Sequence, residues 1–254
     1  FSSQIGFKNL KMKRNKLSPE DAYPLTFEVN NQKVFARGIN YVPADLLFAK
    51  NTKEDYYRLV KLAAEAGFNL IRMWGGGMVE KDAFYWSNVT SVSLPNTITE
   101  IGYGAFRSSP LANVNLPKGL TQIGDYAFYN TKLTGIDLPD GVTTIGASTF
   151  AQCEKLSTIS LPAALEKIGS GAFYKTAITA IVLPASCKTL SNYVFEACKQ
   201  LASITLPEGI IELPTGLFQD CTALTSVTIP ESVTTIGLDA FKKTGIPADQ
   251  IPTV

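Results

Sequence analysis

One pattern recurs seven times between Val89 and Gly245, and it constrains the fold of this chain more than any other feature. Each repeat has a proline that is followed 11 residues later by a phenylalanine, and successive repeats are 22 or 23 residues apart. A unit of this length cannot bury its apolar face alone but can do so against similar neighbours. The pattern therefore predicts a solenoid of seven stacked coils. The prolines are Pro95, Pro117, Pro139, Pro162, Pro184, Pro207 and Pro230, and the phenylalanines are Phe106, Phe128, Phe150, Phe173, Phe195, Phe218 and Phe241.

Residues 111–132 illustrate one repeat, LANVNLPKGLTQIGDYAFYNTK. Alternating apolar residues predict a short strand, and Pro117 ends it because proline has no N–H group to donate to a ladder. A second apolar edge follows, Gly124 is expected to permit a tight turn, and Ala127 and Phe128 are expected to fill the core from a short helical or irregular turn. The L-x-x-I-x-L spacing is typical of leucine-rich-repeat solenoids. Strands of successive coils should form one parallel sheet at about 4.8 Å spacing, so that seven coils make a rod of about 30–35 Å.

The repeats resemble one family closely, the BspA-like leucine-rich repeats of bacterial surface proteins. The resemblance is carried by LSTISLPAALEKIGSGAF at 156–173 and LTSVTIPESVTTIGLDAF at 224–241. It implies a secreted or surface-attached module used in adhesion or protein recognition, whereas the periodicity by itself indicates only the solenoid.

Composition excludes several function classes. The net charge is +1, so no nucleic-acid partner is expected. No apolar run approaches 18 residues, which argues against a transmembrane segment. The chain has no histidine, which excludes Ser-His-Asp and Cys-His catalysis and histidine-ligated zinc, and no cofactor is expected. Because the chain begins with Phe1, we interpret it as a processed or trimmed product.

The four cysteines are Cys153, Cys187, Cys198 and Cys221. Three of them lie three residues after the repeat phenylalanine, and only in repeats whose next leucine comes one residue later. We expect small buried thiols that support a slightly longer turn. A disulfide between Cys198 and Cys221 is an open alternative. No metal site is expected, because paired C-x-x-C motifs are absent.

The second, third and fifth positions of each repeat strand are expected to point outward, and we call them the strand face. They are small and rich in hydroxyl groups, and Asp137 is their single charge. Protein hot spots favour Trp, Tyr and Arg, so these residues favour weak or avid binding, or are simply solvated strand residues. The candidate binding residues are Asn113, Asn115, Asp137, Ser157, Ser160, Thr205 and Thr228.

Residues 1–86 do not belong to the repeat. Residues 25–41 alternate like a hairpin with Asn30-Asn31 at the turn. A helix is expected over roughly 53–66, with Thr52 as its N-cap, and residues 68–73 are typical of a buried strand. Together they predict a strand–helix–strand unit.

This segment resembles the β-mannosidases of glycoside hydrolase family 2. The resemblance is carried by SQIGFKNL (3–10), VFARGINYVPAD (34–45) and FNLIRMWGGGMVEKDAFY (68–85), and it stops at Tyr85 or Trp86. In that family the stretch runs from a β-sandwich into the first two strands of a TIM barrel. The resemblance implies that four residues lie near a sugar pocket. They are Asn40, Asp45, Arg72 and Trp74.

Catalysis by this segment is not expected. Retaining glycosidases need two carboxylates about 5–5.5 Å apart, which the family supplies from later barrel strands, after an Asn-Glu pair. The chain contains no Asn-Glu pair, and the family places neither Glu80 nor Asp82 as catalyst. Two strands and one helix cannot close a barrel of eight strands.

We therefore predict an α+β chain with a small β/βαβ segment at 1–87, which could cap the solenoid, and a leucine-rich-repeat solenoid of seven coils at 88–254. The junction could reflect a natural fusion, an engineered chimera or a misassembled reading frame. The favoured function is a non-enzymatic module at the bacterial surface or outside the cell that binds a host matrix or bacterial surface protein. The alternative is a carbohydrate-associated protein that keeps weak sugar affinity from the mannosidase-like segment.

Overall fold

A computed structural model describes this chain as short strands in its N-terminal third, followed by a continuous solenoid. The described residues are 81–251 together with six strands that precede them, the first five as backbone only. These strands are β1 (Leu10–Arg14), β2 (Leu25–Val29), β3 (Gln32–Val34), β4 (Gly38–Tyr41), β5 (Leu70–Met73) and β6 (Met78–Val79).

Each of the first six coils contributes two very short strands, and the seventh contributes one. A strand of three residues precedes the repeat proline in the first six coils: β7 (Ser91–Ser93), β9 (Asn113–Asn115), β11 (Gly135–Asp137), β13 (Thr158–Ser160), β15 (Ala180–Val182) and β17 (Ser203–Thr205). A strand of two residues follows the proline in all seven: β8 (Glu100–Ile101), β10 (Gln122–Ile123), β12 (Thr144–Ile145), β14 (Lys167–Ile168), β16 (Thr189–Leu190), β18 (Glu212–Leu213) and β19 (Thr235–Ile236).

All pairing within the solenoid is parallel and joins neighbouring coils. The three-residue strands pair as β7–β9, β11–β13 and β15–β17, while the two-residue strands form β6–β8–β10, β12–β14–β16 and β18–β19. The predicted seven-coil parallel solenoid is confirmed, but the expectation of one unbroken sheet is wrong. Each strand has only two or three residues and so makes few ladder hydrogen bonds, and the pairing is divided along the rod. The apolar edge after the proline, for which no strand was predicted, forms the second set of ladders.

Helix is almost absent from the described residues. It amounts to one 3-10 helix, Ala248–Gln250, after the last coil. Where a short helical or irregular turn was expected, each coil instead has a turn around its phenylalanine, which we call the Phe turn.

The Phe turn depends on two residues with left-handed backbone conformation. The residues two before and two after each phenylalanine have φ between 52° and 63°, as at Tyr126 and Asn130. Within 81–251, thirteen residues with positive φ are not glycine, although this conformation costs roughly 1–2 kcal/mol for a residue with a Cβ atom. Hydrogen bonds between the turn and the neighbouring coil must offset this cost.

The compensation is a second hydrogen-bond ladder along the rod. In one Phe turn, the N–H groups of Tyr126, Phe128 and Asn130 donate to carbonyl groups of the next coil at 2.8–3.0 Å. The intervening N–H groups of Ala127 and Tyr129 donate to carbonyl groups three residues earlier in their own coil. Alternate N–H groups therefore hold the coil together and join it to its neighbour, and the turn leaves no buried donor unpaired at these positions.

The repeat phenylalanines form a continuous stack in the core. All seven predicted rings are buried, with Phe241 4% exposed and the others fully buried, which confirms the prediction. Neighbouring ring centroids are 5.1–5.9 Å apart, and the planes are within 13° of parallel except for the last pair at 33°. Phe84 adds an eighth ring at the N-terminal end, 5.1 Å from Phe106. Together with β6 and residues 81–86, it makes a half-coil N-terminal to the boundary predicted at residue 87.

The glycine before the Phe turn has a different role from the one expected. The φ of Gly124 is not positive, so a tight turn does not require it. A Cβ atom at Gly124 would lie 2.7 Å from the backbone nitrogen of Tyr103 and 2.8 Å from the carbonyl carbon of Gly102. Glycine is needed because the previous coil approaches this closely.

The position three residues after each phenylalanine holds a small hydrogen-bond donor. The hydroxyl of Ser109 donates to the Phe106 carbonyl of its own coil at 2.8 Å. The thiols of Cys153, Cys198 and Cys221 instead donate to a phenylalanine carbonyl of the previous coil at 3.0 Å. The column consists of Ser87, Ser109, Thr131, Cys153, Thr176, Cys198, Cys221 and Thr244.

All four cysteines are buried free thiols, which confirms the expectation for Cys153, Cys198 and Cys221 and rules against the Cys198–Cys221 disulfide. The turn after Cys153 is one residue longer, and within it the N–H group of Glu154 donates to the carbonyl of Gln152. The expected longer turn is therefore confirmed. Burial raises the thiol pKa to about 11 at Cys153, Cys187 and Cys198.

The N-terminal strands agree with the predicted hairpin and parallel pair. β2 and β3, on either side of Asn30-Asn31, are antiparallel, and β1 pairs with β2. β4 and β5 are parallel. The helix predicted over 53–66 lies outside the described residues. Backbone atoms of β5 come within 8 Å of those of β7 in the first coil.

The stack predicts a large loss of stability when one inner ring is removed. Phe173 is fully buried between Phe150 and Phe195, at 5.8 and 5.5 Å. We expect Phe173→Ala to lower the free energy of unfolding by about 3–5 kcal/mol in urea melts. Phe241→Ala, which removes a ring with a partner on one side only, is the matched control and should cost less. A loss below about 1 kcal/mol at Phe173 would contradict this packing.

Burial also predicts thiols that react only after unfolding. The thiolate is the reactive form, and a pKa near 11 keeps Cys153 and Cys198 protonated at mildly alkaline pH, where unfolded thiols begin to ionise. We expect the native protein to label slowly with a disulfide reagent and all four thiols to label rapidly in denaturant. Complete labelling within the mixing time under native conditions would show that the cysteines are accessible.

Candidate functional site

The strand face is exposed along the whole solenoid. In each three-residue strand the central residue points into the core and its two neighbours face solvent. All strand-face residues are exposed except Ala112 and Ser157, which are half-buried. Val182 is the large apolar residue of this face and is 68% exposed. The expected orientation of these residues is therefore confirmed, while their role in binding stays a prediction.

The candidate residues form a row rather than a cluster. Asp137 on β11 lies opposite Ser160 on β13 in the parallel register. Six of the seven candidates are exposed, and the hydroxyl of Ser157 donates to the carbonyl of Thr134 at 3.2 Å. Thr228 is exposed in the last coil but lies outside any strand. The exposed candidates are Asn113, Asn115, Asp137, Ser160, Thr205 and Thr228.

The mannosidase-like segment brings two of its four predicted sugar contacts together. Asn40 on β4 and Arg72 on β5 are register partners in the parallel pair. Asp45 and Trp74 lie outside the described residues. The backbone thus juxtaposes one amide and one guanidinium residue.

Charged residues on the later Phe turns form a local network. The amide of Gln219 donates to Glu196 and Asp220 at 3.5 and 3.4 Å, and Lys243 lies 3.5 Å from Asp220. Partial burial, with the Asp220 charge as a second cause, raises the pKa of Glu196. Among the described residues, no three His, Cys, Asp or Glu side chains are close enough to hold a metal ion.

Sequence reasoning considered the strand face and missed the edge formed by the Phe turns. There Trp86 is 65% exposed and Tyr103 is 39% exposed. Both flank a repeat phenylalanine, two residues after Phe84 and three before Phe106. Phe84 lies 22 residues before Phe106, so extending the repeat to Phe84 would have placed Trp86 and Tyr103 on neighbouring Phe turns.

In the part of the chain that the structure describes, no helix is long and apolar enough to cross a membrane.

Solved structures of leucine-rich-repeat proteins are similar to this chain. One is a leucine-rich-repeat protein of T. pallidum, with 31% identity, a TM-score of 0.49, and coverage of 68% of this chain and 72% of its own. Another is a leucine-rich cell surface protein of Faecalibacterium prausnitzii, with 25% identity, a TM-score of 0.46, and coverage of 63% and 60%.

Several beta-mannosidases are similar to this chain over a third of its length or less. Beta-mannosidase B of Thermothelomyces thermophilus is 34% identical over 84 residues, which are 33% of this chain and 10% of that protein. Mannosylglycoprotein endo-beta-mannosidase of Lilium longiflorum is 44% identical over 59 residues, 23% of this chain and 6% of that protein. This chain spans about a tenth of these relatives or less. The predicted resemblance to a mannosidase fragment is confirmed.

The repeats themselves match a family described as the BspA type leucine-rich repeat region, in six copies over residues 77–202 and 156–253. Together these matches cover well over half of the chain and include the half-coil around Phe84. Proteins of this fold are seldom enzymes and usually bind other molecules. The chain belongs to the BspA-type leucine-rich-repeat family.

Proposed function

We propose that this chain is a non-enzymatic recognition or adhesion module, outside the cell or at the bacterial surface, that binds protein partners through its repeat surface. The observation that carries this proposal is the strand face, which presents exposed side chains from coil after coil on a rigid scaffold. Solenoids use such extended surfaces for binding. The partner would be a host matrix protein or a bacterial surface protein.

The chemistry of the strand face favours many weak contacts over one strong anchor. Its residues are mostly Ser, Thr, Asn and small apolar residues. Each hydroxyl or amide contact contributes little alone, but several modules acting together multiply the effective affinity. This suits attachment between surfaces that carry many copies.

Residues 1–87 would then cap the first coil. A terminal coil needs a cover because its core is otherwise open at one end. The closeness of the β5 and β7 backbones supports this placement.

A second candidate function is weak carbohydrate binding by the mannosidase-like segment. The parallel pairing of Asn40 with Arg72 favours it. Without the remaining barrel strands to form pocket walls, the dissociation constant would be in the millimolar range or weaker, about −4 kcal/mol.

Binding through the strand face predicts sensitivity to charge on that face. We expect Asp137→Lys with Ser160→Lys, a pair on adjoining strands, to weaken binding to immobilised matrix or bacterial surface proteins about tenfold or more, because like or buried charges are costly in an interface. The measurement is biolayer interferometry against a panel of such proteins. Thr189→Lys, exposed on β16 on the other ladder, is the control. Equal effects of both variants would contradict a role of the strand face.

The proposal also predicts that the chain hydrolyses no glycoside. Neither the acid/base and nucleophile pair nor a closed barrel is encoded in these residues. An aryl β-mannoside should be turned over no faster than in buffer, and Arg72→Ala with Trp74→Ala should make no difference. Turnover that disappears in that double variant would instead establish an active site in the N-terminal segment.

A further inference from the structure

One guanidinium group is enclosed by aromatic rings at the edge of the first Phe turns. The position directly after the phenylalanine holds Tyr85, Arg107 and Tyr129 in three successive coils. The guanidinium carbon of Arg107 lies 5.5 and 5.2 Å from the centroids of those two tyrosine rings, and 5.4 Å from that of Tyr126. These contacts are cation–π interactions, which orient the group without neutralising its charge.

No carboxylate among the described residues forms an ion pair with Arg107. Its Nε atom is buried without a hydrogen-bond partner, and no acidic group of the described residues is within ion-pair distance. Asp82, on the previous Phe turn, is only 8% exposed, and Asp125, on the next Phe turn, accepts the N–H group of Ala147 at 2.7 Å. Lys81 adds a second positive charge, 5.1 Å from the centre of the Tyr103 ring.

Exposed aromatic rings flank this positive charge. Trp86 is 65% exposed and lies 6.1 Å from the Tyr85 ring. Tyr103 is 39% exposed and lies 5.4 Å from the Tyr126 ring. We call the group Lys81, Tyr85, Trp86, Tyr103, Arg107, Tyr126 and Tyr129 the aromatic patch.

Packing of the repeat does not require this composition. The position after the phenylalanine holds Ala151, Tyr174, Glu196, Gln219 and Lys242 in the other coils, and the position of Trp86 is taken by Ala197 in one of them. The Phe turn forms in all of them. The Phe turn therefore does not depend on the aromatic residues and arginine of the first three turns.

We infer that the aromatic patch is the main contact for an acidic segment of a protein partner. A carboxylate of that segment would accept hydrogen bonds from the Arg107 guanidinium, a charge-assisted contact stronger than a neutral one, and neighbouring apolar side chains would cover Trp86 and Tyr103. Trp, Tyr and Arg are the residues that dominate interface energies. The inference rests on the proposed recognition function and assigns its strongest contact to this edge rather than to the strand face.

The test uses the full chain and two dye-labelled peptides of 12 residues, one built of Glu and Phe and the other with every Glu replaced by Gln. Fluorescence anisotropy should show binding of the acidic peptide, at least about tenfold weaker binding of the Gln peptide, and weakening by salt because charges are screened. Arg107→Gln and, separately, Trp86→Ala should each reduce affinity for the acidic peptide about tenfold. Tyr174→Ala, at the equivalent position of a later coil, is the matched control and should bind like the unaltered chain.

We expect Trp86→Ala to fold normally, because Trp86 is largely exposed and the equivalent position of a later coil is occupied by Ala197. A loss of binding in this variant would therefore not be caused by misfolding. Equal binding of the two peptides, no binding of either, or a loss of binding in Tyr174→Ala as large as in Arg107→Gln would overturn the inference. So would binding of a neutral β-mannan oligosaccharide that depends on Trp86. The proposed function is tested separately, by the binding of the strand-face variants to matrix or bacterial surface proteins. Failure of the aromatic-patch test therefore leaves the result of that experiment unchanged.

Discussion

Hydrogen bonding between successive Phe turns is the interaction on which this architecture depends. Three N–H groups of each turn except the last donate to the next coil, and they can do so only because the residues two before and two after the phenylalanine adopt left-handed conformations. This geometry sets the separation and rotation of neighbouring coils. The parallel stacking of the rings, the near-contact at Gly124 and the column of Ser, Thr and Cys donors all follow from coils held at this separation. The backbone thus determines the frame, and the repeated side chains are those that fit it.

Much of this frame was predictable from the sequence, because it recurs. The constant distance from Pro95 to Phe106, and its six repetitions, established the coils and the buried rings, and the alternation around Val92 established the strand face. The small size and position of Cys153 indicated a buried thiol in a longer turn. These features were predictable because the residues that recur along the sequence are the same residues that contact each other between neighbouring coils.

Other features depend on contacts that no local pattern carries. Left-handed φ at Tyr126 or Lys175 contradicts residue preference and is sustained by hydrogen bonds to another coil. The half-coil around Phe84 lies in a stretch that also resembles a mannosidase, so the repeat was counted from the following coil. The enclosure of Arg107 became visible only when residues 22 apart were placed side by side. The candidate surface at the Phe turns was missed for that reason, whereas the exposure of the strand face was not.

The direction of the ladders has a mechanical consequence. Hydrogen bonds between coils run along the rod, so a pulling force applied at its two ends acts on every interface between coils, and a terminal coil yields first because it has a neighbour on one side only. Such a solenoid should yield by unwinding coil by coil rather than by a single rupture, because each coil contacts only its neighbours. A coil of 22 or 23 residues would release about 70–80 Å of extended chain, at up to about 3.3–3.6 Å per residue. A chain held between two surfaces could lengthen by several times its folded length while its remaining coils stay intact.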